Sequence, residues 1–260
     1  MRFYRRANFI QLLLGTLLAT GLRFVLARFF LLGPEGETDS LCQLYFGGLP
    51  ISASFDLVMV SLQLAVVAVE VVLLNEEIMT GIFDNLELLL CRAARKRGIF
   101  GDLFALYLFH ALFVTGVGYL GFLAVEGCRP AAADMGILLS EVGLILVLAC
   151  LYLILRCLLK NSLAYLGVLL IYVTPILLTG FLYGEGKGGW VNGKYFLLND
   201  LIYNYTHGLE LRYPAYGYTF LPPVLDLGTV SVGAEILARC AVLLLFAVLG
   251  GKLFQKYSVI

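Results

Sequence analysis

The chain has 260 residues, of which 61% are apolar and only 14% charged, and its mean hydropathy is +0.93. A soluble domain carries about a quarter charged residues, so this composition excludes an ordinary soluble protein and implies a membrane one. Lys+Arg and Asp+Glu balance at 18 each, so net charge does not select a partner; no nucleic-acid partner is expected, and the placement of the charges along the chain is what informs.

Six apolar stretches are each long enough to cross a bilayer as a helix of about 20 residues. They cover about 9–31, 53–74, 99–124, 136–158, 163–183 and 231–251. Lipid offers no hydrogen bonds to the backbone, and the short alternating segments of a transmembrane barrel are absent, so the runs are predicted to be helices. The expected fold is an all-α polytopic transmembrane bundle of about six spans, one membrane domain over 1–260. Between the fourth and fifth runs only 159–162 intervene, and Arg156, Lys160 and Asn161 predict a turn there.

The first stretch carries Arg2, Arg5 and Arg6 before it, as a signal peptide would, but its apolar run exceeds a signal peptide's, so an uncleaved span is expected. Lys and Arg set the orientation. With the N-terminus in the cytoplasm, inner segments hold eleven basic residues: Arg2, Arg5, Arg6, Arg92, Arg95, Lys96, Arg97, Arg156, Lys160, Lys252 and Lys256. Outer loops hold four: Arg129, Lys187, Lys194 and Arg212. Six spans return the C-terminus to the cytoplasm, giving a multi-pass protein of the cell membrane in contact with lipid.

Arg23 lies in the outer part of the first run. Glu141 near the outer end of the fourth run and Glu235 in the sixth fall at similar depth, and either is an expected partner for Arg23. Ionisable groups inside membranes are costly and are usually paired or functional. A structural role and a substrate or gating role both stay open for Arg23. Glu235 and Arg239 are four apart and can pair with each other. Glu70 is expected near the inner end of the second run, within reach of water. His110 falls mid-span in the third run with a structural role, and Pro175 is expected to kink the fifth, with Thr174 and Thr179 available to freed carbonyls.

The connection 75–98, NEEIMTGIFDNLELLLCRAARKRG, is expected to form an amphipathic cytoplasmic helix. Ile78, Met79, Ile82, Phe83, Leu86, Leu89, Leu90 and Ala93 fall on one face; Glu76, Glu77, Thr80, Asp84 and Glu87 lie largely on the others. Its acidic start and basic end complement the helix dipole and anionic lipid. On physics alone, an interfacial helix without a partner accounts for it equally well. The last outer connection, 184–230, is long and tyrosine-rich, and Phe220 to Leu225 suit a re-entrant or interfacial piece. Cys42 and Cys128 fall in outer loops, paired or unpaired; no cysteine pair has metal-site spacing. There is no phosphate-binding loop and no HExxH motif, so no cofactor or metal is expected on this chain, and it is not expected to be an enzyme.

Glu77-x-x-x-Gly81, Leu88-Leu89-Leu90 and Arg92-x-x-Arg95, running straight into a span, resemble the segment between spans two and three of ABC-2-type permeases. The family's Pro near Cys91 is absent here, and its Gly-Lys is Gly101-Asp102. The resemblance implies a permease subunit of an ATP-driven exporter of an amphipathic substrate, such as a peptide, antibiotic or lipid. It implies separate ABC ATPase subunits that bind ATP and Mg, and a second permease copy or related chain. By position, Glu77, Gly81, Leu89 and Arg92 would belong to the element docking on the ATPase; Glu76, Asp84 and Glu87 add acidic charge to it. The alternative is an ATPase-independent polytopic protein: an immunity factor, a lipid-handling enzyme or an accessory subunit.

Overall fold

The structure, a computed structural model, describes residues 6–27, 41–46, 57–73, 96–127, 129–130, 132–184 and 232–257. Among these residues there are helices and no strands. The helices are α1 (Arg6–Val25), α2 (Leu41–Phe46), α3 (Leu57–Val67), a π-helical turn (Ala68–Leu73), α4 (Lys96–Glu126), α5 (Ala132–Leu158), α6 (Asn161–Gly184) and α7 (Val232–Tyr257). The described part of each of the six apolar stretches is helical. Two helices, Gly101–Glu126 and Asp134–Leu158, are long and apolar enough to cross a membrane; Phe9–Val25, Ser61–Val71, Asn161–Thr174 and Cys240–Leu253 are shorter apolar helical segments.

Two polar residues of α1 show how a helix hides its hydroxyls in an apolar setting. Thr16 donates to the Leu12 carbonyl at 2.7 Å and Thr20 to the Thr16 carbonyl at 2.8 Å. Both hydroxyls satisfy themselves one turn back along the helix. α1 and α4 run in the same direction. Phe9 meets Phe113 edge to face, and farther along both helices Thr20 meets Gly118 and Gly121 while Phe24 meets Gly121. A Cβ on Gly118 would lie 3.4 Å from the Phe46 ring and 3.6 Å from Thr20 Oγ1; one on Gly121 would lie 3.4 Å from Thr20 Cγ2. The two glycines leave room on α4 for the side chains of Thr20, Phe24 and Phe46.

α4 ends at Gly127, whose φ of 63° is the left-handed conformation that closes a helix at little steric cost. α5 returns antiparallel and forms the hub. It packs against α2, the π-helical turn, α4, α6 and α7, and Leu144 through Cys150 are buried all round. The turn expected between the fourth and fifth runs is present at Leu159 and Lys160. Leu159 N–H donates to the Leu155 carbonyl, Ala164 N–H to the Lys160 carbonyl, and Tyr152 Oη to Asn161 Oδ1. α6 then continues through Pro175. The Thr174 hydroxyl donates to the Leu170 carbonyl at 2.6 Å, not to the Ile171 carbonyl that the proline leaves without its helical donor.

The bundle is apolar outside and holds its polar groups inside. On α1, Ile10, Leu13, Leu14, Leu17 and Leu18 face outward, whereas Leu12, Thr16, Ala19 and Arg23 are buried. On α6, Leu163, Leu166 and Leu170 face outward and Ala164, Val168 and Tyr172 inward. Gln63, Glu70, His110, Thr115, Ser140 and Glu141 are also buried. Water-soluble monomers rarely expose contiguous apolar patches of this kind, and lipid is the solvent that suits such a surface.

Lys96 and Arg97 lie in the first turn of α4. The rest of the proposed coupling element, with Glu76, Glu77, Gly81, Asp84, Glu87, Leu89 and Arg92, lies outside the described residues. So do Thr80 and most of the 184–230 connection. Glu235 and Arg239 fall one turn apart on α7.

Candidate functional site: a buried arginine shared by two glutamates

Arg23 reaches the interior because α1 buries one stripe. Leu12, Thr16, Ala19, Arg23 and Leu26 recur at alternating spacings of four and three, the spacing of one helical face. Arg23 is 7% exposed and its side chain meets three other elements. Its Nε donates to Glu70 Oε1 and its Nη2 to Glu70 Oε2, both at 2.8 Å, a two-pronged fork. Nη2 also donates to Glu141 Oε1. Nη1 donates to the Tyr45 backbone carbonyl at 3.0 Å, and the Phe46 ring lies 5.2 Å from the guanidinium carbon. One guanidinium thus joins α1, α2, the π-helical turn and α5.

Both carboxylates are buried, Glu70 and Glu141 each 3% exposed. Removing two acids and a base from water is unfavourable for each alone, and the arrangement stands because every charge has a close opposite charge and hydrogen bonds. Of the two partners expected for Arg23, the structure brings Glu141 to it. It also corrects the expectation for Glu70. That residue does not reach water; it sits at the depth of Arg23. Counting from the end of an apolar run says where hydropathy falls, not which face of the helix turns inward. Here the π-helical turn packs against α1 and α5 and points Glu70 between them.

Beyond Arg23 the polar network spreads through α2. Cys42, Tyr45 and Phe46 form its buried face, at spacings of three and four. Tyr45 Oη donates to Glu126 Oε1 at the end of α4, and Tyr119 Oη donates to Asp134 Oδ2 at 2.7 Å at the start of α5. Aromatic rings fill the space between. Phe24 and Tyr45 lie 4.9 Å apart, Tyr45 and Phe122 5.0 Å, and Tyr119 and Phe122 5.9 Å. On the other side, Gln63 Nε2 donates to Tyr172 Oη at 3.1 Å, tying α3 to α6.

Cys42, expected in an outer loop, lies instead in the short helix α2 and is buried. It is a free thiol, 2% exposed, and burial first, then the neighbouring Asp134 carboxylate, push it up to about 12. Its inward turn follows from the i, i+3, i+4 face of a six-residue helix that hydropathy alone does not reveal. Cys128 lies outside the described residues. His110 is buried on the inner face of α4, in keeping with a structural role. Sequence reasoning did not single out Tyr45, Tyr119, Glu126 or Asp134 for this site. The available signal was that Glu126 and Asp134 flank the tight α4–α5 connection, which brings them to the same end of the bundle.

Among the described residues no group of three His, Cys, Asp or Glu side chains could hold a metal ion. The Arg23 cluster is a buried ion pair shared by two carboxylates. No family model matches the chain, and neither a curated protein nor a solved structure similar to it is found.

Proposed function

We propose that this chain is the membrane-spanning permease subunit of an ATP-driven ABC exporter that moves an amphipathic substrate. The observation that carries the reading is the inverted distribution of polarity: an apolar exterior around an interior ion cluster that links four helical elements. Ionisable groups held inside a membrane bundle are costly, and they are usually paired or functional. The Glu77-x-x-x-Gly81 to Arg95 pattern supports the choice of an ABC exporter, as do the six apolar stretches. The sequence has no phosphate-binding loop, so the energy for pumping comes from a partner. In this reading the multi-pass topology has both termini in the cytoplasm. The acidic residues Glu76, Glu77, Asp84 and Glu87 meet the ATPase, and a second permease copy or a related chain completes the pathway.

The test is purification of the tagged chain from its native membranes in mild detergent. The expected result is a complex that retains an ATP-binding subunit and hydrolyses ATP. A chain that purifies intact and folded without such a subunit, and without ATP hydrolysis, replaces this reading with the ATPase-independent one.

A further inference from the structure

Glu70, the residue that forks onto Arg23, does not sit in a regular α-helix. α3 passes into a π-helical turn at Ala68–Leu73, and Glu70 lies inside that turn. α1 also passes into π geometry at 26–27, just after its α-helical part ends at Val25, within one turn of Arg23. π turns hold one more residue per turn than the α-helix continues with, are rare, and recur at functional sites. Both partners of one buried ion pair therefore lie in or beside widened helix.

A π turn has an alternative nearby. Returning it to α geometry moves the residues on one side by one position, about 100° of rotation and about 1.5 Å along the axis. That rotation takes the Glu70 carboxylate off the guanidinium. Ordinarily the loss would strand a buried cation, at a cost large enough to forbid it. Here Arg23 keeps Glu141, which comes from the regular helix α5 and does not move with the π turn. Two arrangements of Arg23 are thus both ion-paired, which is what a two-state element requires.

α2 is the element that senses the difference. It is held to the bundle through the Tyr45 carbonyl on Arg23 Nη1, the Phe46 ring against the guanidinium, and the Tyr45 hydroxyl on Glu126. The fork to Glu70 fixes the plane of the guanidinium, and that plane aims Nη1 at α2. We propose that the π-helical turn Ala68–Leu73 is a conformational switch that makes and breaks the Arg23–Glu70 ion pair and, through Arg23, holds or releases α2. The charged and titratable groups facing this node are Arg23 from α1, Tyr45 from α2, Glu70 from the π turn, Glu141 from α5 and Tyr172 from α6, with Glu126 and Asp134 behind Tyr45 and Cys42. Release of α2 opens the bundle at the end where α4 meets α5. The use of that opening in transport rests on the exporter reading; the switch is measured without substrate or ATPase, so the two fail separately.

Cys42 is a natural reporter, since it is buried on the inner face of α2. Two versions of the full-length chain in lipid nanodiscs serve, one keeping only Cys42 of the six cysteines and one keeping only Cys150 in the core of α5. The measurement is the rate of reaction with a small maleimide. Glu70→Gln, and separately deletion of Ala68 to remove the extra residue of the π turn, are each expected to speed Cys42 labelling about tenfold or more while Cys150 stays slow, the signature of local opening. Glu141→Gln, with the fork intact, is expected to change Cys42 labelling less than Glu70→Gln. Equal acceleration at Cys42 and Cys150 means general loosening and overturns the switch, as does wild-type protection of Cys42 in both Glu70→Gln and the Ala68 deletion. If the deletion fails to fold, Glu70→Asp, which shortens the fork by one methylene and keeps the charge, is expected to accelerate Cys42 alone; unchanged Cys42 labelling in it also overturns the switch.

Discussion

At the residue scale, Arg23 is the interaction on which the interior is organised. Replacing it with Ala leaves two buried carboxylates facing each other without their shared cation. A loss of about 3–5 kcal/mol is expected, the usual cost of breaking a buried pair from one side. The measurement is thermal unfolding in detergent or nanodiscs. A double-mutant cycle between Arg23 and Glu141 should give a coupling well above about 0.5 kcal/mol, the level at which independent sites add. Arg23→Lys keeps the charge but cannot form the fork, so it should recover only part of the stability. Cys42 gives a second residue-scale prediction. Its thiol stays protonated up to about 12, above its ordinary 9.0, so the folded chain holds this proton in a pH range where the unfolded chain has released it. This contribution is complete below about 9 and is lost as pH rises from there toward 12. Unfolding measured across that range should show stability falling with pH, and Cys42→Ser should flatten the fall. That Arg23 would be paired inside the bundle was legible in the sequence, because an arginine in an apolar run has few other fates. Glu70 as the two-pronged partner was not legible, since its partner choice depends on a π turn and on packing between α1 and α5.

At the element scale, the helices were legible and their contacts were not. Runs of apolar residues dictate helix wherever backbone groups lack water, and the described part of each of the six stretches is helical. Which helix meets which depends on small residues at particular heights. Gly118 and Gly121 on α4 are such residues, and α1 and α2 lie against them. Gly118→Val should push Phe46 and Thr20 away and destabilise by about 1–3 kcal/mol, the range for overpacking a filled interface. Gly116, which has open space where its side chain would be, is the control, and Gly116→Val should cost less than Gly118→Val. Equal effects at Gly116 and Gly118, read as unfolding temperature in detergent, would contradict the packing described. α2 shows the limit of sequence reading. Six residues in a connection carry no hydropathy signal of their own, and only the 42, 45, 46 spacing hints that one face is buried.

At the scale of the whole molecule, two helices are long and apolar enough to cross a membrane and the bundle turns apolar side chains outward; the permease reading adds orientation, coupling and partner. Orientation predicts that residues of 156–160 face the cytoplasm. A single cysteine introduced at Lys160, which is exposed, should react with an impermeant maleimide only after cells are opened. The central claim is that energy reaches this bundle from a separate ATPase through the acidic segment before α4. It is tested most directly by purifying the wild-type chain and the Glu76→Lys, Glu77→Lys double variant with their ATPase and comparing ATP hydrolysis and retention across a salt series. Charges at such a contact act mainly on association and partner choice, and salt screens them. The account predicts that the variant folds, loses most of the bound ATPase and its stimulation, and shows a changed salt dependence. A variant that keeps the ATPase and its stimulation at the wild-type level at every salt concentration would contradict it.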